Sequence, residues 1–333
     1  MKVIVLLAGY GTRMRPHTWS RPKPLLKVAG NTVVGHVLDQ MREITTEEVI
    51  FVVGYGGDQI EQWIREHYSH LDAHFVIQDK PLGQAHAVWL CRDYLDDGDV
   101  VVAFGDGIIE ADYANLNKPD ADAVFLVQKI EDARRFGVAV LDDDGHVVKL
   151  IEKPPTTEHK LAIAGINWFR RGRQLFEATE TIIKSGRKTL GEYFMIDAYQ
   201  VLLENGAKIR TEILKQWEDA GTPQALLHTN ARLLSAGFAS YEILERGFAE
   251  SFAVIPPVYV HPSAEISESV IGPYTSIEAN AIITNSVIRN SIIDPGAVIS
   301  NCVLENTLIG ENATVTGRAK TLFIGDNSKV EIG

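Results

Sequence analysis

The apolar run Val3 to Ala8 ends in Gly9-Tyr10-Gly11-Thr12-Arg13-Met14-Arg15-Pro16. Glycines at the end of a buried strand let backbone N–H groups face an anion, and the two arginines add positive charge beside them. Downstream, Lys23 stands between Pro22 and Pro24, which restrict the backbone on both sides as an aimed ammonium would need. A second glycine-flanked polar residue, Asp106 in Gly105-Asp106-Gly107, follows another apolar run, Val100 to Phe104. Two familiar phosphate loops are excluded by the residues themselves. A dinucleotide fingerprint needs a third glycine where Met14 stands and a helix where Pro16 stands. A Walker loop needs a Gly-Lys-Ser/Thr ending, which is absent.

The elements that must hold these residues alternate along the first hundred positions. Val3–Ala8, Val49–Val53, Phe75–Ile77 and Val100–Phe104 read as strands. Between them, Val33, Val34, Val37, Leu38, Met41 and Ile44 follow a helical period with Asn31 or Thr32 as cap. Ile60, Trp63, Ile64 and His67 mark a second helix, and Ala85–Leu95 a third. Such alternation implies a parallel sheet covered on both faces, with ligands beyond the carboxyl ends of its strands, where both glycine loops fall. Past residue 123 the pattern becomes antiparallel: an Asp-Gly turn joins two strands in "GVAVLDDDGHVVKLIEKP". A strand over Ala162–Phe169, two helical stretches and a final helix to about Ala236 complete this part.

After Pro256-Pro257 apolar residues recur every five or six positions, from Val260, Ile266 and Ile271 through Ile309 and Val315, with Asn, Ser, Gly and Thr between them. Neither a helix nor a plain strand has that period; hexapeptide repeats of a three-sided parallel β-helix do. The expected fold class is α/β: a Rossmann-like mixed sheet over 1–238, a linker or helix over 239–257, and a left-handed β-helix over 258–333.

Composition narrows the partners. A net charge of −12 argues against nucleic acid, which needs a basic face, but not against a small phosphorylated substrate. The run after Lys2 is too short for a signal peptide and passes at once into glycines and arginines. No run approaches the roughly 18 apolar residues of a membrane span, so a cytoplasmic protein without membrane contact is expected. Cys91 and Cys302, far apart in apolar stretches, read as buried free thiols.

"GYGTRMRPHT" followed by "RPKPLLKV" resembles the signature of the sugar-1-phosphate nucleotidylyltransferases, and further motifs follow in order: "QDKPLGQAHA", "FGDG", "FGVAVLDDDGHVVKLIEKP" with "AIAGINWF", "GEYFMIDAY" and "WEDAGTPQAL". Within that family the chain is most similar to the long thymidylyltransferases, whose β-helix tail ends in something like "LFIGDNSKVEI". The resemblance implies attack of a sugar-1-phosphate oxygen on the α-phosphorus of dTTP or UTP, with Mg²⁺ as cofactor. It implies that Arg13 holds the triphosphate beside Ala8, Gly9, Gly11 and Thr12, and that Lys23 neutralises the α-phosphate region. Asp106 and Asp219 would hold the metal, and Gln78 and Gly83 would read the base. Gly137, Glu152, Lys153, Gly165 and Trp217 would bind the sugar phosphate.

Some positions depart from the family pattern. Lys27 replaces a proline, Gln84 stands where Leu or Thr is frequent, and Phe194 and Ile196 interrupt a Glu-x-Thr-Asp run before Asp197. A homo-oligomer is expected, assembled through the β-helix or the catalytic domain, with the β-helix packing subunits together or capping the sheet edge. Acyl transfer by such a tail needs a histidine, and His261 is the only one after residue 228. A bifunctional uridylyl- and acetyltransferase and a non-catalytic nucleotide-sugar-binding subunit are the competing readings.

Overall fold

A computed structural model of the chain describes residues 1–44, 48–113, 116–240 and 252–317. The chain divides into two compact units: Met1–Leu26 with Asn31–Leu226, and Lys27–Gly30 with Leu227–Gly333. Most of the expected linker (241–251) and the tail motif at 322–332 lie outside the described residues.

The first unit begins with β1 (Lys2–Leu6) and the short strands β2 (Lys27–Val28) and β3 (Asn31–Thr32) flank the unit boundary. Helix α1 (Val33–Gln40), β4 (Glu48–Val53), α2 (Gly57–His67), β5 (Ala73–Ile77), α3 (Gln84–Leu90) and β6 (Val100–Phe104) follow. Parallel pairing of β6, β1, β4 and β5 makes one half of the main sheet. Val3, Ile4 and Val5 are fully buried, as expected of a strand covered on both faces. Thr32, rather than Asn31, caps α1: its hydroxyl accepts from the Gly35 N–H at 3.0 Å. The helix expected over Ala85–Leu95 is α3 followed by a tighter turn at Arg92–Tyr94. There the Tyr94 and Leu95 N–H groups bond three residues back instead of four.

The antiparallel half comprises β8 (Ala123–Lys129), β9 (Gly137–Leu141), β10 (Val147–Glu152), β11 (Leu161–Phe169) and, after helices α4 (Gly172–Ser185) and α5 (Met195–Glu204), β12 (Ile209–Ile213). Strand β11 joins the halves, running antiparallel to β6 on one side and to β8 on the other. The β9–β10 hairpin closes through the expected Asp-Gly turn: Asp142 Oδ1 accepts from the N–H groups of Asp144 and His146 at 3.0 and 2.8 Å. At its open end Gly137 lies opposite Glu152.

A further ribbon was not anticipated. β7 (Gly107–Glu110) pairs antiparallel with β13 (Gln216–Asp219), placing Asp219 opposite Gly107. The Ala220 N–H donates to the Asp106 carbonyl at 3.1 Å, so two segments a hundred residues apart meet at one point.

In the second unit, α6 (Pro223–Leu233) begins at the boundary and most of its residues belong here. Three parallel sheets of short strands follow, one strand of each per coil, the arrangement of a three-sided β-helix. The repeated apolar residues stack through the coils: Ile266, Ile283, Ile299 and Val315 lie in register 17, 16 and 16 residues apart. Val260, Ile277, Ile293 and Ile309 make the second stack, and Ile271, Ile288 and Leu304 the third. Asparagines turn the corners. Asn285, Asn290, Asn301 and Asn306 have left-handed backbones, and their amides bond from coil to coil, Asn285 to Asn301 at 2.8 Å and Asn290 to Asn306 at 2.6 Å. Cys91 and Cys302 are free and buried.

Candidate active site

The phosphate loop leaves β1 and turns at Gly11, whose φ of +60° is left-handed. A methyl group there would stand 2.9 Å from Lys23 Cβ and 3.2 Å from a Thr18 methyl, so conformation and space both require glycine. The Thr18 hydroxyl donates to the Gly11 carbonyl at 2.8 Å, and buried Met14 anchors the single turn Thr12–Met14. Arg13 is thereby left at the surface of the loop.

Lys23 opens a short turn between its prolines and is buried, yet its Nζ reaches Asp106 Oδ2 at 3.0 Å. The Asp106 carboxylate is half exposed. Strand β13 brings Asp219 to the same place. An atom added at Gly221 would lie 2.8 Å from Asp219 Oδ1 and 3.0 Å from the Arg13 guanidinium. Arg13, Lys23, Asp106 and Asp219 thus gather where β1, β6 and β13 end.

Two cavities open from this point. One, of about 500 Å³, is lined by Ala8, Gly9, Gly11, Thr12, Lys23, Gln78 and Gly83, among others. The other, of about 490 Å³, is lined by Gly137, Glu152, Lys153, Gly165, Trp217 and Asp219, among others. Arg13, Gln84, Phe104 and Asp106 line both. Each residue singled out from the sequence therefore borders one cavity or the other, with Arg13 and Asp106 at the junction.

Gln78 and Gly83 are held by a neighbouring segment. Gly83 has φ +115°, and a methyl there would stand 2.4 Å from the Tyr193 carbonyl. That carbonyl accepts from the Ala85 N–H at 3.0 Å, while the Tyr193 N–H donates to the Leu82 carbonyl at 2.8 Å. The "GEYF" stretch thus fixes the start of α3 and the loop before it.

In the second cavity Glu152 is pushed above the ordinary carboxyl range, chiefly by burial; nearby Lys153 opposes this and Asp197 adds to it. Lys153 has a left-handed backbone (φ +45°), unusual for a lysine. Its ammonium lies 3.8 Å from Glu152 Oε1 and 4.6 Å from the centre of the Phe194 ring. Phe194, Met195 and Ile196 form an apolar wall at the start of α5. The sequence reading missed Arg134, Arg135, Asn167 and Tyr199 as cavity residues. Asn167 and Tyr199 look like core positions on an apolar strand and helix, and only β11 packing against α5 turns them to the cavity.

The carboxylates suit a hard divalent cation. Among the described residues no group of three or more His, Cys, Asp or Glu side chains forms a closed metal site. Asp106 and Asp219 instead line one cavity as two carboxylates that could offer oxygen donors to a divalent cation whose shell phosphates and water would complete.

Residues 2–236 match the nucleotidyl transferase family. The glucose-1-phosphate thymidylyltransferase of Streptomyces antibioticus is 32% identical, over 100% of this chain and 99% of its own length. The UTP–glucose-1-phosphate uridylyltransferase AglF of Haloferax volcanii is 32% identical, over 67% of this chain and 93% of its own. A Bacillus anthracis crystal structure with bound sucrose, described as a glucose-1-phosphate thymidylyltransferase, superposes with a TM-score of 0.59 at 27% identity, covering 70% of this chain and 94% of that one. With the loop, the paired aspartates and the double cavity all inside the matched stretch, this chain belongs to the nucleotidyl transferase family.

Proposed function

We propose that the enzyme condenses glucose 1-phosphate with dTTP or UTP to give a nucleoside diphosphate glucose and pyrophosphate. The observation that carries this reading is the pair of cavities meeting at Arg13 and Asp106, one floored by the phosphate loop and the other by Glu152 and Lys153. The nucleophile is a phosphate oxygen already anionic near neutral pH, so the site needs no general base and no covalent intermediate. It has to align two polyanions and neutralise charge as the bond from the α-phosphorus to the leaving oxygen breaks.

In this reading the N–H groups of the Gly9–Thr12 loop and Arg13 hold the triphosphate and take up charge on the departing pyrophosphate. Lys23 exchanges Asp106 for the α-phosphate. Gln78 and Gly83 receive the base, Glu152 accepts hydrogen bonds from sugar hydroxyls, and Lys153 faces the sugar's phosphate, with Gly137, Gly165 and Trp217 shaping the space. Asp106 and Asp219 would hold Mg²⁺, which when bound supplies positive charge to phosphate oxygens.

The β-helix serves assembly into a homo-oligomer, a role supported by the apolar ladder Val270, Val287 and Val303 along one sheet, with Val303 largely exposed. Among the described residues no helix is long and apolar enough to cross a membrane; the reading places the enzyme in the cytoplasm, beside its nucleotide substrate. The test is pyrophosphate release with Mg²⁺, glucose 1-phosphate and each of dTTP, UTP, GTP and CTP. Release with dTTP or UTP is expected; none from any pairing, with other sugar phosphates also tried, would sink the reading.

A further inference from the structure

Gln78 lies against the nucleotide cavity with its side chain almost wholly buried. A glutamine amide carries a donor end and an acceptor end, so a base reader of this kind is ambiguous unless something fixes its rotation. Here the nitrogen end is doubly committed. Gln78 Nε2 stands 3.0 Å from the Gly83 carbonyl and 3.0 Å from His86 Nδ1. The Gly83 carbonyl can only accept, which identifies that end as the NH₂ group, and its second hydrogen is then directed at the histidine. His86 accepts it through Nδ1 and carries its own proton on Nε2.

The surroundings keep the ring in that form. His86 sits on α3, half-buried, with its ring stacked 5.8 Å from Trp89 at 30°. Burial lowers its pKa, which holds the imidazole neutral and its lone pair available. His86 is not among the cavity-lining residues, so it acts from behind Gln78. With both amide hydrogens used, Oε1 is the atom left for a ligand.

We propose that His86 is a positioning residue for base selection: with the Gly83 carbonyl it locks the Gln78 amide so that the base meets an acceptor. A pyrimidine with a ring N–H at that edge, uracil or thymine, donates to Oε1. Cytosine presents a lone pair there and meets a second lone pair. Rotating the amide to suit cytosine would break both bonds to Nε2 and aim Oε1 at a carbonyl and an imidazole lone pair. Discrimination of this type, in which the wrong ligand leaves buried polar groups unpaired, is far stronger than that obtained from shape alone.

The inference rests on the proposed reaction for the identity of the substrate, but nucleotide binding tests it without turnover. Equilibrium titrations of dTTP, UTP and CTP would be run with Mg²⁺ and no sugar phosphate on the full chain, on His86→Leu, which removes the acceptor, and on His86→Gln, which restores an uncharged one. The native protein is expected to bind dTTP and UTP at least tenfold tighter than CTP. His86→Leu should narrow that ratio on the order of fivefold, the effect of one neutral hydrogen bond, while His86→Gln keeps it. His86→Ala replaces the leucine variant if thermal melting shows that variant unfolded. A native protein that takes CTP as readily as UTP overturns the proposal. So does an unchanged ratio in the acceptor-less variant, or an equal narrowing in His86→Gln, which would mark a packing role. Intact discrimination without pyrophosphate release would instead count against the proposed reaction and leave the lock standing.

Discussion

Replacing Lys23 by methionine should separate catalysis from stability. Its ammonium is 3.0 Å from Asp106 Oδ2; the lysine side chain is 9% exposed and the aspartate 50%. Methionine keeps most of the buried stem and removes only the charge. An ion pair with one partner half in water contributes about 1 kcal/mol or less, and removing a buried ammonium relieves part of that loss. A change of that size moves the midpoint of thermal unfolding by about 2–4 °C. In the proposed reaction the catalytic loss should be much larger, because a preorganised cation facing developing charge is worth about 3–4 kcal/mol, a factor of roughly 10² to 10³ in kcat. The partner substitution behaves differently: Asp106→Asn leaves a buried ammonium beside a neutral amide, which should cost about 1–3 kcal/mol of stability as well as activity. Pyrophosphate release and scanning fluorimetry on the two variants measure both quantities. If Lys23→Met keeps kcat/KM within fivefold of the native value, the phosphate role is wrong. If it instead unfolds about 10 °C early, Lys23 is a structural lysine and the reasoning from half-exposure fails.

Other outcomes follow from single features. Because burial raises the Glu152 pKa above its ordinary 4.5, its carboxylate is lost on acidification before an ordinary glutamate's would be. KM for the sugar phosphate should therefore begin to climb on acidification sooner than an ordinary glutamate would make it, and Glu152→Gln should have a high KM with a shallower slope, that of the substrate's own phosphate. The linked stability has the opposite sign: ionising Glu152 costs the folded state free energy as pH rises from 4.5 through the raised value, so Glu152→Gln should be relatively more stable near neutrality, which melting curves at several pH values would reveal. Gly83→Ala forces a methyl to within 2.4 Å of the Tyr193 carbonyl at φ +115°, so stability should fall by about 2 kcal/mol and KM for the nucleotide rise more than tenfold; normal kinetics would show that the loop yields freely. A Val287→Glu, Val303→Glu pair places charges on the apolar ladder of the β-helix and should lower the oligomeric state seen by light scattering, with catalysis by each subunit retained; a native protein that is already monomeric would remove the basis for this expectation.

What could be read from the sequence was what local chemistry dictates. The glycine loop was legible because Gly11 and its arginines stand immediately after a strand, and the β-helix because its period of five to six repeats through coil after coil. The parallel strands declared themselves as Val and Ile runs. The meeting of Asp106 with Asp219 was not legible from pattern, since it depends on pairing β7 with β13, two four-residue strands about a hundred positions apart whose short alternation carries no register. Only the family resemblance named both. Asn167 and Tyr199 stayed hidden for a related reason: alternation along β11 and helical spacing along α5 describe each residue's own element, whereas the cavity arises where the two pack. His86 gave no signal either, because a histidine one turn into a helix acquires a partner only when a strand end is brought against it.

The division of the site between the two halves of the sheet has a mechanistic consequence. The phosphate loop, Lys23 and the base-facing segment all leave the carboxyl ends of parallel strands or the loops that follow them. Gly137, Glu152, Lys153, Gly165 and the apolar wall at Phe194 and Ile196 come from the antiparallel half and the helix packed on it. Strand β11 couples the halves by pairing with β6 next to the carboxyl end that carries Asp106. In the proposed reaction, bringing two anions into line would fall to the segments that follow β1 and β6, strands buried over most of their length. The departures from the family pattern divide between the two places: Phe194 and Ile196 line only the cavity of Glu152 and Lys153, whereas Gln84 stands at the junction with Arg13 and Asp106.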